Sequence, residues 1–376
     1  MNFNRLFLFR PADLPMCSKL TFGLIASTWV VAACLALTAP VVAAPPLNDD
    51  DVPVIPKDEL PKKIDLKKIP VGFEKLPVAP TDNPTTIEKA QLGRRLFFDP
   101  ILSTNGTVSC ASCHQPKHGF DSPDAVSVGI GGQKGTRNAP TILNRGYGKH
   151  FSWDGRDASL EAQSLGVLKS KTELGGDTDA VIANIKKDAK YVSAFSKVFS
   201  KSGKEAGDEF VTLENVTKAI ACFERTLNSG NSKLDRFRND EYEALSKAAR
   251  QGLWIFESRG GCWKCHNGSN LADDKFHNTG VGFGKKDRDP GRAKATENAK
   301  HNFQFKTPTL RDIEHTAPYM HDGSVKTLKE VIEFYNKGGS PDDPAIDKDM
   351  KPLNLTEEEV GFLVEFLKAL SGNSDK

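Results

Sequence analysis

The 376-residue chain has no excess of either charge, since 51 Lys and Arg stand against 49 Asp and Glu. A basic footprint for nucleic acid is therefore missing, and no nucleic-acid partner is expected. The chain also lacks an even set of spare cysteines. Of the seven present, four sit in two short motifs, Cys17 and Cys34 lie near the N-terminus, and Cys222 stands alone. No disulfide framework can be drawn from that set. Cys222 falls inside a helical pattern, Val216 to Arg225, and reads as a buried core thiol. Long runs of strand-type alternation are absent, which points to an all-α fold with few short strands. Methionine is scarce, and after residue 43 only Met320 and Met350 remain.

One long apolar run exists, Leu20 to Ala39. It follows a segment carrying Arg5, Arg10 and Lys19 and precedes small residues at Val41 and Ala43. Residues 1–43 read as a signal peptide cut after Ala43, which places the mature protein in the periplasm. A retained membrane anchor competes with that reading, because the run is nearly long enough to span. A lipid anchor at Cys34 also competes, because Val31-Ala-Ala-Cys34 resembles a lipobox. Residues 44–85 are rich in proline and lysine and read as an extended linker.

The four motif cysteines form Cys110-Ala-Ser-Cys113-His114 and Cys262-Trp-Lys-Cys265-His266. C-x-x-C-H is the attachment signature of c-type haem. Each thiol adds to a vinyl group, and the histidine supplies the proximal nitrogen to iron. Zinc or a redox dithiol is the competing reading, but a histidine directly after the second cysteine is not the usual zinc spacing. Ala90-Gln-Leu-Gly-Arg-Arg-Leu-Phe-Phe-Asp99 precedes the first motif. A similar stretch, Ala248-Ala-Arg-Gln-Gly-Leu-Trp-Ile-Phe-Glu257, precedes the second. The chain thus contains a diverged repeat. It predicts two cytochrome c-like haem domains with long loops, residues 86–235 and 236–376, and two covalently attached haem c groups. The last helix is marked by a capping box, Thr356-Glu-Glu-Glu359, before Val360, Leu363, Phe366, Leu367 and Leu370.

Four further blocks accompany these motifs: Leu92-Gly-Arg-Arg-Leu-Phe-Phe-Asp-Pro100, Phe151-Ser-Trp-Asp-Gly-Arg156, Thr307-Pro-Thr-Leu-Arg311 and Ala317-Pro-Tyr-Met-His-Asp-Gly323. With them the chain resembles the bacterial di-haem cytochrome c peroxidases, including the MauG-like branch, over roughly residues 86–372. The resemblance implies a peroxide-reacting haem on His114 and an electron-relay haem on His266. It places Trp153 between them, Gln163 and Glu173 at the peroxide site, and Asn138, Thr316 and Pro318 around a calcium ion between the domains. Peroxide cleavage needs a group that moves a proton between the two oxygens, a task suited to the Glu173 carboxylate. Hard oxygen donors of the Asn138, Thr316 and Pro318 kind suit calcium.

Two departures sharpen the expectation. Classical members carry a histidine in the loop after the first motif that caps the peroxide-reacting iron. Here that loop, Val126-Ser-Val-Gly-Ile-Gly-Gly132, has none, and His118 lies only four residues past His114. The iron on His114 is expected to keep an open or water-capped face. The family ligand of the second iron lies fourteen residues after the histidine of the Pro-Tyr-x-His block, a count that lands on Tyr335. Tyrosine there is the MauG-like choice, and Met350 is the fallback. A surface tryptophan used by MauG-like enzymes just before the second motif is replaced by Gly260-Gly261. The expected partners are hydrogen peroxide and either a small cytochrome c or cupredoxin donor or a protein substrate. A homodimer is left open. A non-catalytic di-haem electron carrier and a haem-based sensor are the rival classes.

Overall fold

The computed structural model describes residues 66–200 and 207–374. The expected signal peptide, Cys34 and the first part of the linker lie outside the described residues. Among the described residues the chain is mostly helical, with four two-residue strands. Strand β1 (Ser229–Gly230) pairs with β4 (Asn373–Ser374), and β2 (Phe276–His277) pairs with β3 (Phe305–Lys306), both antiparallel. No described helix is long and apolar enough to cross a membrane.

Two hydrophobic cores carry the architecture. The first gathers buried residues from Leu92 to Leu227. Helix α1 (Ile87–Phe98) begins where Thr86 accepts a hydrogen bond from the Lys89 amide, and it ends at Asp99 before Pro100. Its apolar face, Ala90, Leu92, Leu96 and Phe97, is buried. Full burial of a Leu or Phe side chain is worth roughly 1.5–3 kcal/mol. The short turn α2 (Cys110–Cys113) follows, then α3 (Leu160–Leu168), α4 (Thr178–Lys187), α5 (Ala189–Phe199) and α6 (Leu213–Glu224). Helix α1 crosses α6 at Gly93, where any Cβ would run into the Ala219 carbonyl. Cys222 on α6 is fully buried, with its Sγ 3.4 Å from Asn83 Oδ1, as a core thiol should be.

The second core runs from Leu234 to Leu370. It holds α7 (Lys233–Arg238), α8 (Lys247–Glu257), α10 (Leu328–Asn336) and α11 (Glu357–Lys368), while the short α9 (Arg292–Thr296) lies outside it. Helix α8 is capped by Ser246, and at Gly252 it crosses α11 so closely that a Cβ would meet the Phe362 carbonyl. Gly93 and Gly252 occupy matching places in the repeated stretch. Residues 66–85 contain no helix or strand but are anchored, not free. Phe73 is buried, stacks on Tyr147 with ring centroids 4.2 Å apart, and lies under the Arg311 guanidinium at 4.4 Å. Arg311 also grips Asp235 through two bonds of 2.8 and 2.9 Å, both side chains being buried.

Candidate haem-binding sites

Each C-x-x-C-H motif folds into a single helical turn. The His114 amide donates to the Cys110 carbonyl at 3.0 Å, and the His266 amide donates to the Cys262 carbonyl at 2.9 Å. Each ring is then fixed the same way. His114 Nδ1 lies 3.2 Å from the Phe120 carbonyl, and His266 Nδ1 lies 3.0 Å from the Leu271 carbonyl. A carbonyl only accepts, so Nδ1 carries the proton and Nε2 keeps its lone pair for a metal. Phe120 and Leu271 both adopt positive φ, 57° and 49°, the uncommon turn that aims each carbonyl at its imidazole. Burial lowers both histidine pKa values, that of His266 to about 4, so each ring is a neutral ligand. The four motif cysteines form no disulfide. Each motif lines its own cavity, and this donor set fits a covalently attached haem in each.

The first cavity brings His114, Gln163 and Glu173 onto one wall with Trp153. Gln163 comes from α3, and Glu173 from the turn after it. Burial holds the Glu173 carboxyl above its usual range. The histidine-free loop closes on this acid. The Ile130 amide donates to the Glu173 carbonyl at 3.0 Å, and a Cβ on Gly129 would collide with the Thr172 carbonyl. Ser127 and Gly129 of the loop face the cavity, whose only histidines are His114 and His321. His118 closes a separate turn, Pro116–His118, and faces neither cavity.

The second cavity is lined by His266, Tyr335 and Met350 together. Tyr335 projects from α10, and burial pushes its phenol up to about 12. Met350 follows a turn in which its amide donates to the Asp347 carbonyl at 2.9 Å. His277 also reaches this wall. Its Nδ1 lies 2.6 Å from Asp347 and its Nε2 3.2 Å from Asp273, so both ring nitrogens are engaged.

Trp153 and Asn138 border both cavities. The Trp153 indole donates to the Asn138 carbonyl at 2.9 Å, and the Trp153 carbonyl accepts from the Lys306 amide at 2.8 Å. His321 borders both cavities too, stacked on Phe305 at 3.6 Å and edge-on to Trp153 at 6.4 Å. Burial lowers its pKa to about 4. Asn138, Thr316 and Pro318 share the second cavity wall. None of the described hydrogen bonds uses the Asn138 Oδ1 or the Thr316 and Pro318 carbonyls. Asp121 lies on the same wall, and burial pushes its carboxyl up to about 8. Three oxygens of this kind are a donor set that calcium can accept.

Comparison with known proteins gives the same answer as the twin motifs. Residues 87–243 match the family described as di-haem cytochrome c peroxidase. The methylamine utilization protein MauG of Methylorubrum extorquens is 38% identical over 293 residues, covering 77% of this chain and 80% of that one. The chain belongs to the di-haem cytochrome c peroxidase family. Its members are oxidoreductases acting on peroxide. The cytochrome c551 peroxidase of Nitrosomonas europaea is 33% identical, covering 77% of this chain and 82% of that one. A crystal structure of a MauG-like protein associated with microbial copper homeostasis superposes with a TM-score of 0.75 at 32% identity, covering 81% of this chain and 95% of that one.

Several groups in this di-haem chain escaped the sequence reading. His321 served only as a counting mark for Tyr335, yet it sits between the cavities. Arg137 joins Asp154 at 2.6 Å to Asp289 at 2.7 Å, bracing the Trp153 segment against a distant loop. Glu224 at the end of α6 is buried on the first cavity wall, with its Oε2 unsatisfied. A lone Arg, Glu or Lys carries no burial signal in sequence, because such residues are mostly exposed.

Proposed function

We propose that the protein is a periplasmic di-haem peroxidase that reduces hydrogen peroxide in the His114 cavity and shares the oxidising equivalents with the His266 cavity. One asymmetry carries the reading. The His114 wall presents an amide and a carboxylic acid, and the loop 126–132 that closes on it brings no histidine, whereas the His266 wall presents Tyr335 and Met350. Bound haem would supply the iron redox chemistry at each site. Cys110, Cys113 and His114 would hold one group, and Cys262, Cys265 and His266 the other. While bound haem would supply the two electrons, Glu173 would take a proton from one peroxide oxygen and return it to the other as the O–O bond breaks, so that this oxygen leaves as water. Its raised pKa brings it toward neutral pH, where such transfer is most effective. Gln163 orients the peroxide by hydrogen bonding. Trp153 offers an aromatic bridge between the cavities.

In this reading residues 1–43 direct export, residues 44–85 form the linker, and the two cores correspond to haem domains 86–235 and 236–376. Asn138, Thr316 and Pro318 would hold a calcium ion. Tyr335 would hold the relay haem together with His266. Electrons arrive from a small cytochrome c or cupredoxin. The second reading is oxidation of residues on a partner protein. Tyr335 and the histidine-free loop favour it. The deciding experiment is electron paramagnetic resonance of the oxidised holoprotein before and after peroxide. One high-spin centre lost within the mixing time supports the enzyme. Two low-spin centres unchanged by peroxide would leave only an electron carrier. A parallel assay with reduced cytochrome c separates the two enzymatic readings.

A further inference from the structure

The second cavity contains a buried lysine that no carboxylate pairs with among the described ion pairs. Lys306 is only 7% exposed and faces the His266 cavity. Its Nζ donates to the Thr307 carbonyl at 3.1 Å. Among the described ion pairs no carboxylate lies within reach of it. Asp273 and Asp274 act on it only from a distance, and Asp273 is already bonded to His277. A buried ammonium with one neutral acceptor is expensive to keep, since burial of an unpaired charge costs several kcal/mol.

The position is also rigid. Lys306 belongs to β3, which pairs with β2 through Phe276. Its amide is held by the Trp153 carbonyl, and the following amide, Thr307, donates to the Lys275 carbonyl at 2.9 Å. Phe305 before it is locked on His321. The backbone at Lys306 is thus fixed on both sides, and its side chain starts from a buried position. Burial drives the amine toward its neutral form, and an anion arriving with the occupant of the cavity would restore the ammonium. Haem carries two carboxylates, its propionates, at the edge opposite the thioether links.

We infer that Lys306 is the propionate-binding residue of the second haem, where its ammonium donates to a haem carboxylate. This inference rests on the assignment of a haem to the His266 cavity. A positive charge beside the macrocycle favours the reduced iron, so Lys306 holds the potential of that haem up. No covalent step is involved.

The test uses full-length holoprotein with Lys306→Gln, Lys306→Met and Lys306→Arg. Haem content is measured first by the pyridine haemochrome. Two haems per chain in the wild type uphold the underlying assignment, and fewer than two remove it independently of Lys306. Midpoint potentials of both haems then follow from spectroelectrochemistry. The expected result is a shift of the second haem to lower potential in the Gln and Met variants, a smaller shift at the first haem, and a near wild-type value in the Arg variant. Equal potentials in wild type and Lys306→Gln overturn the inference. So does a fall in Lys306→Arg as large as in Lys306→Gln, because that would mark a packing role. Should the neutral variants fail to accumulate, resonance Raman of the wild type and Lys306→Arg decides. Propionate bending bands typical of hydrogen-bonded carboxylates support the inference, and bands of free propionates overturn it.

Discussion

The two halves of the molecule share their attachment hardware and differ in what faces the ligand. Thr86 and Ser246 cap equivalent helices, Gly93 and Gly252 let those helices cross a partner at backbone contact, and Phe120 and Leu271 turn a carbonyl onto the motif histidine. The walls diverge. The first offers Gln163, Glu173 and Glu224, and the second offers Tyr335, Met350 and Lys306. A repeat can thus keep the parts that hold a cofactor while a handful of wall residues changes what the cofactor is asked to do.

Substitutions on the two walls should separate most strongly. Glu173→Gln is expected to lower peroxide turnover by about 100- to 10,000-fold, the range for loss of a general acid–base group. Tyr335→Phe should instead shift the optical and EPR signals of the second haem and spare the first encounter with peroxide. Stopped-flow measurements on both variants check this, and equal losses in the peroxide encounter would erase the division between the halves. The shared hardware should respond alike. Gly93→Val and Gly252→Val each force a helix crossing apart and should cost about 1–3 kcal/mol, as overpacking does. Urea denaturation of the holoprotein measures both, and a cost at one site only would break the symmetry.

The smallest contrast is in pH dependence. Burial pushes Glu224 up to about 8, above roughly 4.3 in an unfolded chain. Its folded form prefers the proton, so stability falls as pH rises from about 4.3 through 8. Asp235 goes the other way. Burial alone would raise it, but the Arg311 guanidinium outweighs that and holds it low. Its contribution is present above roughly 3.9 and is lost as pH falls through the depressed value. Urea midpoints across pH should show Glu224→Gln flattening the alkaline decline and Asp235→Asn flattening the acidic one.

The scaffold was legible because its signals are local. The C-x-x-C-H turns, the Thr356 capping box and the Gly93 and Gly252 stretches each declare themselves within a dozen residues. Gln163, Glu173 and Tyr335 came with the family resemblance and not with such local signals; Gln163 and Glu173 line the first cavity and Tyr335 the second. What stayed hidden depends on contacts across the chain. Nothing near Lys306 or His321 in sequence says that residues 153 and 305 will hold the first on the second cavity wall and the second between both cavities. The linker reading missed that Phe73 would be clasped by Tyr147 and Arg311, because an isolated aromatic in a proline-rich stretch has no periodicity to betray its docking.

Trp153 is fastened at both ends, its indole to the Asn138 carbonyl and its own carbonyl to the Lys306 amide. A ring held this way cannot act as a swinging gate. In the proposed relay, traffic across it would be throttled by the energy levels on either side, so that charge and axial chemistry set the rate while the ring stays still.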